Sequence, residues 1–94
     1  MLEIKSGENQ EIVLIGRFDA AQAESAKAVF LTLQEGRVVD FSALEYISSA
    51  GLGVLLAAQK RLSDRGHSLR LINVNPHIRD IFRFSGFDQI FDIG

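Results

Sequence analysis

The fold is decided by residues 37–56, which read RVVDFSALEYISSAGLGVLL. The first part, Arg37–Phe41, is short and rich in β-branched residues, which predicts a strand. Across Ala50–Arg65 the apolar residues recur at helical spacing, which predicts a helix. The segment between them is predicted to be a connector whose buried anchors are Leu44 and Ile47. This stretch therefore indicates a strand that leads through a connector into a helix.

Six further elements are predicted on the two sides of this stretch. They are strands at residues 2–5, 11–18 and 68–74, helices at 20–34 and 76–85, and a final strand or extended tail at 89–93. Asp19 and Gln22 are spaced as a capping-box pair at the start of the first of these helices. Glycines at positions 36, 66 and 86 are predicted to end the three helices, and Gly36 suits a left-handed residue after the first.

The order of these elements, ββαβαβαβ, predicts an α/β fold. Strands that alternate with helices favour parallel pairing with right-handed crossovers, while the first two strands form a hairpin. We therefore expect a single domain over residues 1–94, with one mixed β-sheet and helices packed on it. Three helices can hide one face of such a short sheet. The other face is left open or covered by a partner.

Composition narrows the classes of function. The 94 residues include 10 Lys and Arg against 12 Asp and Glu, a net charge of −2, which gives no electrostatic basis for binding nucleic acid or an anionic membrane. No apolar run approaches the roughly 18 residues of a membrane span. The N-terminus lacks the features of a signal peptide, so a cytoplasmic location is expected. Without cysteine there is no disulfide or thiolate metal site, and nothing in the composition favours one oligomeric state.

The residues with chemistry to offer lie where the connector meets the second helix. Two hydroxyls, Ser48 and Ser49, precede Gly51 and Gly53, although glycine inside a helix costs about 1 kcal/mol against alanine. One interpretation is structural: a serine caps the helix, and the glycines allow tight packing on the sheet. The other is that the glycines let a second surface reach the backbone and the hydroxyls. A phosphate on either serine would meet the free N–H groups of the helix start.

Several kinds of active site are excluded by what this segment lacks. The Gly51-x-Gly53 pattern has no third glycine, because position 56 is Leu, and no Gly-Lys-Ser/Thr motif follows, so nucleotide binding is not predicted. The only histidines, His67 and His77, are predicted at the surface, and no serine triad can be composed from them. No cluster of residues has metal-ligand spacing. We therefore expect no enzymatic activity, no cofactor and no metal.

Residues 38–41 and 44–56 resemble the central signature of STAS domains, and the whole chain most resembles the bacterial anti-sigma factor antagonists. Residues 16–19, Gly-Arg-Phe-Asp, are similar to the family's Gly-Glu-Leu/Ile-Asp step into its first helix. Residues 81–87, IFRFSGF, are similar to its C-terminal Leu-Phe-x-x-Ser/Thr-Gly-Leu. The resemblance implies a partner-switching protein: an anti-sigma factor that is also an ATP-dependent serine kinase binds it, and a metal-dependent serine phosphatase reverses the phosphorylation.

The resemblance also implies which residues act. The family's Asp-Ser-Ser/Thr-Gly run makes Ser49 the phosphoacceptor, with Ser48 in place of the aspartate and Ala50 in place of the second hydroxyl residue. The implied partner-binding residues are Asp19, Ser48, Ala50, Gly51, Leu52 and Gly53. Because the aspartate is lost, the alternative is a STAS adaptor or scaffold that is not phosphorylated, such as an accessory subunit of a lipid transporter or of a signalling complex.

Overall fold

The computed structural model describes residues 1–94 and has five strands in one mixed sheet together with three α-helices. The strands are β1 (Leu2–Ser6), β2 (Ile12–Phe18), β3 (Arg37–Ile47), β4 (Leu69–Ile72) and β5 (Asp92–Ile93). The helices are α1 (Ala23–Phe30), α2 (Ser49–Ser63) and α3 (Pro76–Phe84), with 3₁₀ turns at Ala20–Gln22 and Phe87–Gln89. The strands lie in chain order; β1 is antiparallel to β2, and every later neighbouring pair is parallel. The predicted α/β class, element order and mixed sheet are confirmed.

One face of the sheet carries the hydrophobic core. Side chains alternate between the two faces of a strand, and in β2 this buries Leu14 and Phe18 completely. The largest fully buried side chains include those of Phe18, Phe30, Phe41 and Phe82. The opposite face of β2 carries the half-buried Val13 and Ile15 and the exposed Arg17. This second face is the one that we expected to be left to solvent or to a partner.

The third strand is longer than predicted. It continues through the expected connector to Ile47 and has 11 residues, whereas the predicted strand stopped at Phe41. Two register shifts against β2 each give β3 one extra residue, and such bulges change which side chains face the core. After Phe41 the buried positions therefore come every third residue, at Leu44 and Ile47. The prediction of a connector was therefore wrong, but Leu44 and Ile47 are buried as expected.

The first helix is shorter than predicted. Instead of one helix over residues 20–34, the chain forms a 3₁₀ turn followed by α1, which ends at Phe30. The Thr32 hydroxyl donates to two carbonyls of the last helical turn, at 3.0 Å each, and so replaces backbone donors that would have continued the helix. Arg61 of α2 donates to the Leu33 carbonyl. The chain after α1 is thereby tied to α2 rather than extended as helix.

The glycines after the helices serve two different purposes. Gly66 and Gly86 have φ angles of +79° and +80°, so both are left-handed residues that end a helix, as predicted. Gly36 does not have a positive φ, and that prediction is wrong. A Cβ at Gly36 would lie 2.7 Å from the Ser68 carbonyl oxygen, so glycine is needed there for the close approach of two backbone segments.

Candidate functional site

The end of β2 and the start of α2 meet at one edge of the sheet. Phe18 lies opposite Ile47 in the parallel pairing, and the Ser48 N–H donates to the Phe18 carbonyl at 2.9 Å. Because Asp19 follows Phe18 directly, its turn lies beside the first turn of α2, and the 3₁₀ turn that it begins contacts this helix. The fold thus brings together the two segments that contain all the predicted site residues.

Ser48 has a structural task at the start of α2. It is the N-cap residue, in extended conformation, and its Oγ accepts a hydrogen bond from the Gly51 N–H at 3.1 Å. Its carbonyl accepts from the Leu52 N–H at 2.9 Å. The side chain is half-buried. The capping interpretation of a serine before the helix therefore applies to Ser48, whose hydroxyl is occupied.

Ser49 is the first residue of α2 and is exposed. Since Ser48 makes the capping contact, the Ser49 Oγ is left to solvent. No imidazole lies in this turn, because His67 follows α2 and His77 lies in the first turn of α3. The site therefore offers an accessible hydroxyl, and neither histidine belongs to the two segments that form it. Such a hydroxyl can accept a group from another enzyme.

The sequence left two interpretations of the glycines in α2 open: tight packing on the sheet, or access for a second surface. The structure gives a different answer for each glycine. A Cβ at Gly51 would lie 2.9 Å from Ile47 Cγ1 and 3.0 Å from the Phe18 ring, so this buried glycine lets the helix pack closely on the sheet. Gly53 is exposed, and a Cβ there would meet nothing within 4 Å. It is four residues after Ser49 and so lies on the same side of the helix. No packing contact accounts for glycine at position 53.

Alanine substitutions at the two positions are expected to have opposite effects on stability. Gly51→Ala should lower the free energy of unfolding by about 1–3 kcal/mol, because the added methyl group overpacks the contact with β2 and β3. Gly53→Ala should raise it by up to about 1 kcal/mol, because alanine is the better helix former at an open position. Urea unfolding of both variants beside the wild type measures the difference. Similar stabilities for the two variants would contradict these assignments.

The remaining predicted residues differ in how far they reach the surface. Asp19 and Ala50 are half-buried, whereas Leu52 is only 7% exposed and belongs to the core. The Asp19 N–H donates to Gln22 Oε1 at 2.9 Å, which is one half of the predicted capping box. The Asp19 carboxylate keeps an exposed fraction of 36%. The accessible part of the predicted set is therefore Asp19, Ser48, Ser49, Ala50 and Gly53.

Two residues that were not predicted extend this surface onto the open face of the sheet. Arg17 and Tyr46 are paired across β2 and β3, and the Arg17 guanidinium lies over the Tyr46 ring, 4.5 Å from its centroid. The Arg17 Nε atom is 3.9 Å from Asp19 Oδ2, which is an ion pair too long to be a hydrogen bond. Because of the bulges in β3, counting alternate residues along the two strands does not predict that Arg17 and Tyr46 are paired.

Asp40 has a shifted pKa but lies outside the candidate site. Burial raises the pKa of this carboxyl, and hydrogen bonds from the Ser42 N–H and the Asn73 side chain outweigh that effect, so the pKa is below its ordinary value. The two donors lie 2.9 and 3.1 Å from Asp40 Oδ1. Asn73 has a φ of 57° in the turn after β4. Asp40 therefore holds this turn against β3.

The candidate site is an open surface and not a cavity. Two clefts of about 490 and 350 Å³ lie elsewhere, one between Arg79 and Asp92 and the other between Lys60 and Ile90. No group of three or more His, Cys, Asp or Glu side chains is arranged to hold a metal ion. None of the three helices combines the length and the apolar character needed to cross a bilayer. An open surface suits contact with a protein better than capture of a small molecule, which needs a concave site.

The chain is similar in sequence to anti-sigma factor antagonists and in fold to a solved antagonist structure. The protein-family model described as Mlab, STAS domain matches residues 2–92. BtrV of Bordetella bronchiseptica, which carries the name of an anti-sigma factor antagonist, is 40% identical over 81 residues, or 85% of this chain and 70% of BtrV. The anti-sigma-B factor antagonist of Listeria monocytogenes is 31% identical over 98 residues, or 98% of this chain and 86% of that protein. The solved structure of phosphorylated Bacillus SpoIIAA matches with a TM-score of 0.72 and 21% identity, over 100% of this chain and 91% of that chain, which shows the fold.

Proposed function

The chain belongs to the STAS domain family, and we propose that it acts within that family as an anti-sigma factor antagonist that works by partner switching. In the unphosphorylated state it binds an anti-sigma factor that is also a serine kinase, and the sigma factor is freed for transcription. Phosphorylation of Ser49 releases the antagonist, and a metal-dependent serine phosphatase restores it. The protein itself is not an enzyme, and the cycle runs in the cytoplasm.

The observation that carries this proposal is the unoccupied, exposed hydroxyl of Ser49 at the first position of α2. A kinase needs an acceptor whose oxygen it can reach and which is not already engaged. Ser48 meets these conditions less well, because it is half-buried and its Oγ already accepts from the Gly51 N–H. The relatives named as anti-sigma factor antagonists, which align over most of the chain, support the proposed class of function.

The surroundings of Ser49 support a protein partner. Gly53, one helical turn further on, is exposed and has no neighbour that requires glycine, although alanine would make the isolated helix more stable by about 1 kcal/mol. The absence of a side chain lets a partner approach the helix backbone between Ser49 and Gly53. Asp19, in the adjacent turn, adds a partly exposed carboxylate to the same surface.

The switch itself follows from charge. The Ser49 Oγ attacks the γ-phosphorus of the kinase-bound ATP, the bond to the β–γ bridging oxygen breaks, ADP leaves, and the hydroxyl proton passes to a base of the kinase. The phosphate adds about −1.5 to −2 charges to a surface that was neutral at this position. Renewed docking would have to desolvate that dianion against the partner, which opposes binding. The phosphatase removes the charge and restores the binding surface.

The experiment that tests the proposal is intact mass spectrometry of the protein purified from its own cells, with and without phosphatase treatment. We expect a phosphate-sized increment that disappears with phosphatase and that peptide fragmentation localises to Ser49. Ser49→Ala should abolish the increment and Ser48→Ala should keep it. A phosphate on Ser48 would contradict the assignment of the acceptor.

The second candidate function is a STAS adaptor that is not phosphorylated. One observation favours it: Ser48 stands where the family pattern has aspartate. On this alternative the surface around Ser49 binds a partner constitutively. An absence of phosphate under every growth condition, including stress, would favour the adaptor over the partner switch.

A further inference from the structure

Arg17 stacks on an aromatic ring and makes one long ion pair. Its guanidinium stacks on the Tyr46 ring at 4.5 Å, and such a contact restricts a side chain that would otherwise sample many rotamers. Its nearest carboxylate oxygen, Asp19 Oδ2, is 3.9 Å from Nε, beyond hydrogen-bond distance. The side chain is 54% exposed. A guanidinium with five donors is therefore presented to solvent beside the Tyr46 ring, with no hydrogen bond to another group of the chain.

Arg17 and the proposed phosphoacceptor are linked through one backbone hydrogen bond. Phe18 and Ser48 are joined by a hydrogen bond of 2.9 Å between the Ser48 N–H and the Phe18 carbonyl. Arg17 directly precedes Phe18, and Ser49 directly follows Ser48. The two exposed residues thus flank a single backbone hydrogen bond that joins β2 to the start of α2. Both residues are exposed.

We propose that Arg17 clamps the phosphate when Ser49 is phosphorylated, leaving the Tyr46 ring to donate bidentate hydrogen bonds to the phosphate oxygens. This inference rests on the proposed function, because it assigns a second residue to the regulation of the same serine. Guanidinium and phosphate match in geometry as well as charge, and paired N–H···O bonds of this kind are among the strongest in proteins. The clamp makes phosphorylation change two parts of the surface, the start of α2 and the Arg17–Tyr46 pair.

The competition for Arg17 favours the phosphate. Asp19 offers one negative charge at 3.9 Å and no hydrogen bond, whereas a phosphate dianion offers up to two charges and three acceptor oxygens. In the unphosphorylated protein nothing else competes, so Arg17 stays on the ring. The family pattern Gly-Glu-Leu/Ile-Asp has glutamate where this chain has Arg17, and a glutamate there would repel the phosphate. The clamp therefore depends on the arginine that this chain has in place of the glutamate of that pattern.

The test is a ³¹P NMR titration of protein in which phosphoserine is genetically encoded at position 49, so that no kinase is needed. A guanidinium on the phosphate favours the dianion and lowers its second pKa from the ordinary value of about 6. Arg17→Gln is expected to raise this pKa by about 0.5 unit or more, roughly a threefold change in proton affinity. The matched control Arg37→Gln removes an arginine from the other end of β3 and should leave the pKa unchanged.

A lysine variant separates the clamp from a charge that acts at a distance. Arg17→Lys keeps the charge but loses the bidentate geometry, so only part of the pKa difference should return. Equal pKa values for wild type and Arg17→Gln, or full recovery with lysine, would overturn the clamp. Neither result bears on whether Ser49 is phosphorylated in cells. Conversely, if no phosphate is found on the protein from its own cells, the proposed function fails while the titration of the encoded phosphoserine still decides the clamp.

Discussion

Ser49→Asp is expected to bind the anti-sigma factor at least a hundredfold more weakly than the wild type. A carboxylate at position 49 places a negative charge where the unphosphorylated surface has an unoccupied hydroxyl. Docking would then desolvate the charge, and a loss of about 3 kcal/mol corresponds to a change in Kd of more than a hundredfold. Ser49→Ala, in contrast, should bind as the wild type does and no longer respond to the kinase. Isothermal titration calorimetry with the purified anti-sigma factor measures all three proteins.

Two variants control for size and position. Ser49→Asn has nearly the shape of Ser49→Asp without the charge, so its affinity should stay within a few-fold of the wild type. Ser48→Asp adds the same charge one residue earlier, where the family pattern has aspartate and where aspartate is a good N-cap. This variant should keep both the fold and the binding. Equal binding by wild type and Ser49→Asp would show that Ser49 lies outside the partner surface.

The position of Ser49 was predictable because it depends on local features. A strand, two serines and a helix start follow one another within the chain, and helix capping acts over three or four residues. The sequence could not say which serine caps the helix, because both stand where an N-cap residue could lie. The hydrogen bond from Gly51 to Ser48 decides it. The two glycines were likewise recognised as unusual, but only the neighbours of each one show that Gly51 serves packing and Gly53 does not.

The contribution of Arg17 and Tyr46 was not predictable from alternation along the strands. Two bulges shift β3 against β2, so residues that a regular ladder would pair are displaced. The same bulges made the segment after Phe41 look irregular, since its buried residues recur at every third position. A bulge is recognised only from the strand beside it. This is why the class and order of elements followed from the sequence while the length of β3 and the surface beside the site did not.

Gln59→Leu is expected to lower the free energy of unfolding by about 3 kcal/mol, because two backbone groups lose their partners at about 1–3 kcal/mol each. Gln59 in α2 is the one buried polar side chain of the protein. Its Oε1 accepts from the Leu69 N–H at 2.8 Å, and its Nε2 donates to the Ile90 carbonyl at 3.2 Å. One side chain therefore joins α2 to the start of β4 and to the segment before β5. Leucine has a similar volume but can make neither bond.

The loss measured for Gln59→Leu should be specific to this bridge. Gln89→Leu makes the same chemical change at an exposed position and should alter stability by less than about 0.5 kcal/mol, as is usual for surface substitutions. Urea unfolding compares the two variants, and hydrogen exchange should show faster exchange of the Leu69 amide in Gln59→Leu alone. A loss below about 1 kcal/mol with an unchanged Leu69 amide would mean that water replaces both bonds. Gln59 lies more than two turns beyond Ser49 in the same helix. If Gln59→Leu lowers stability but leaves partner binding unchanged, the stability of the fold and the binding surface depend on different residues of α2.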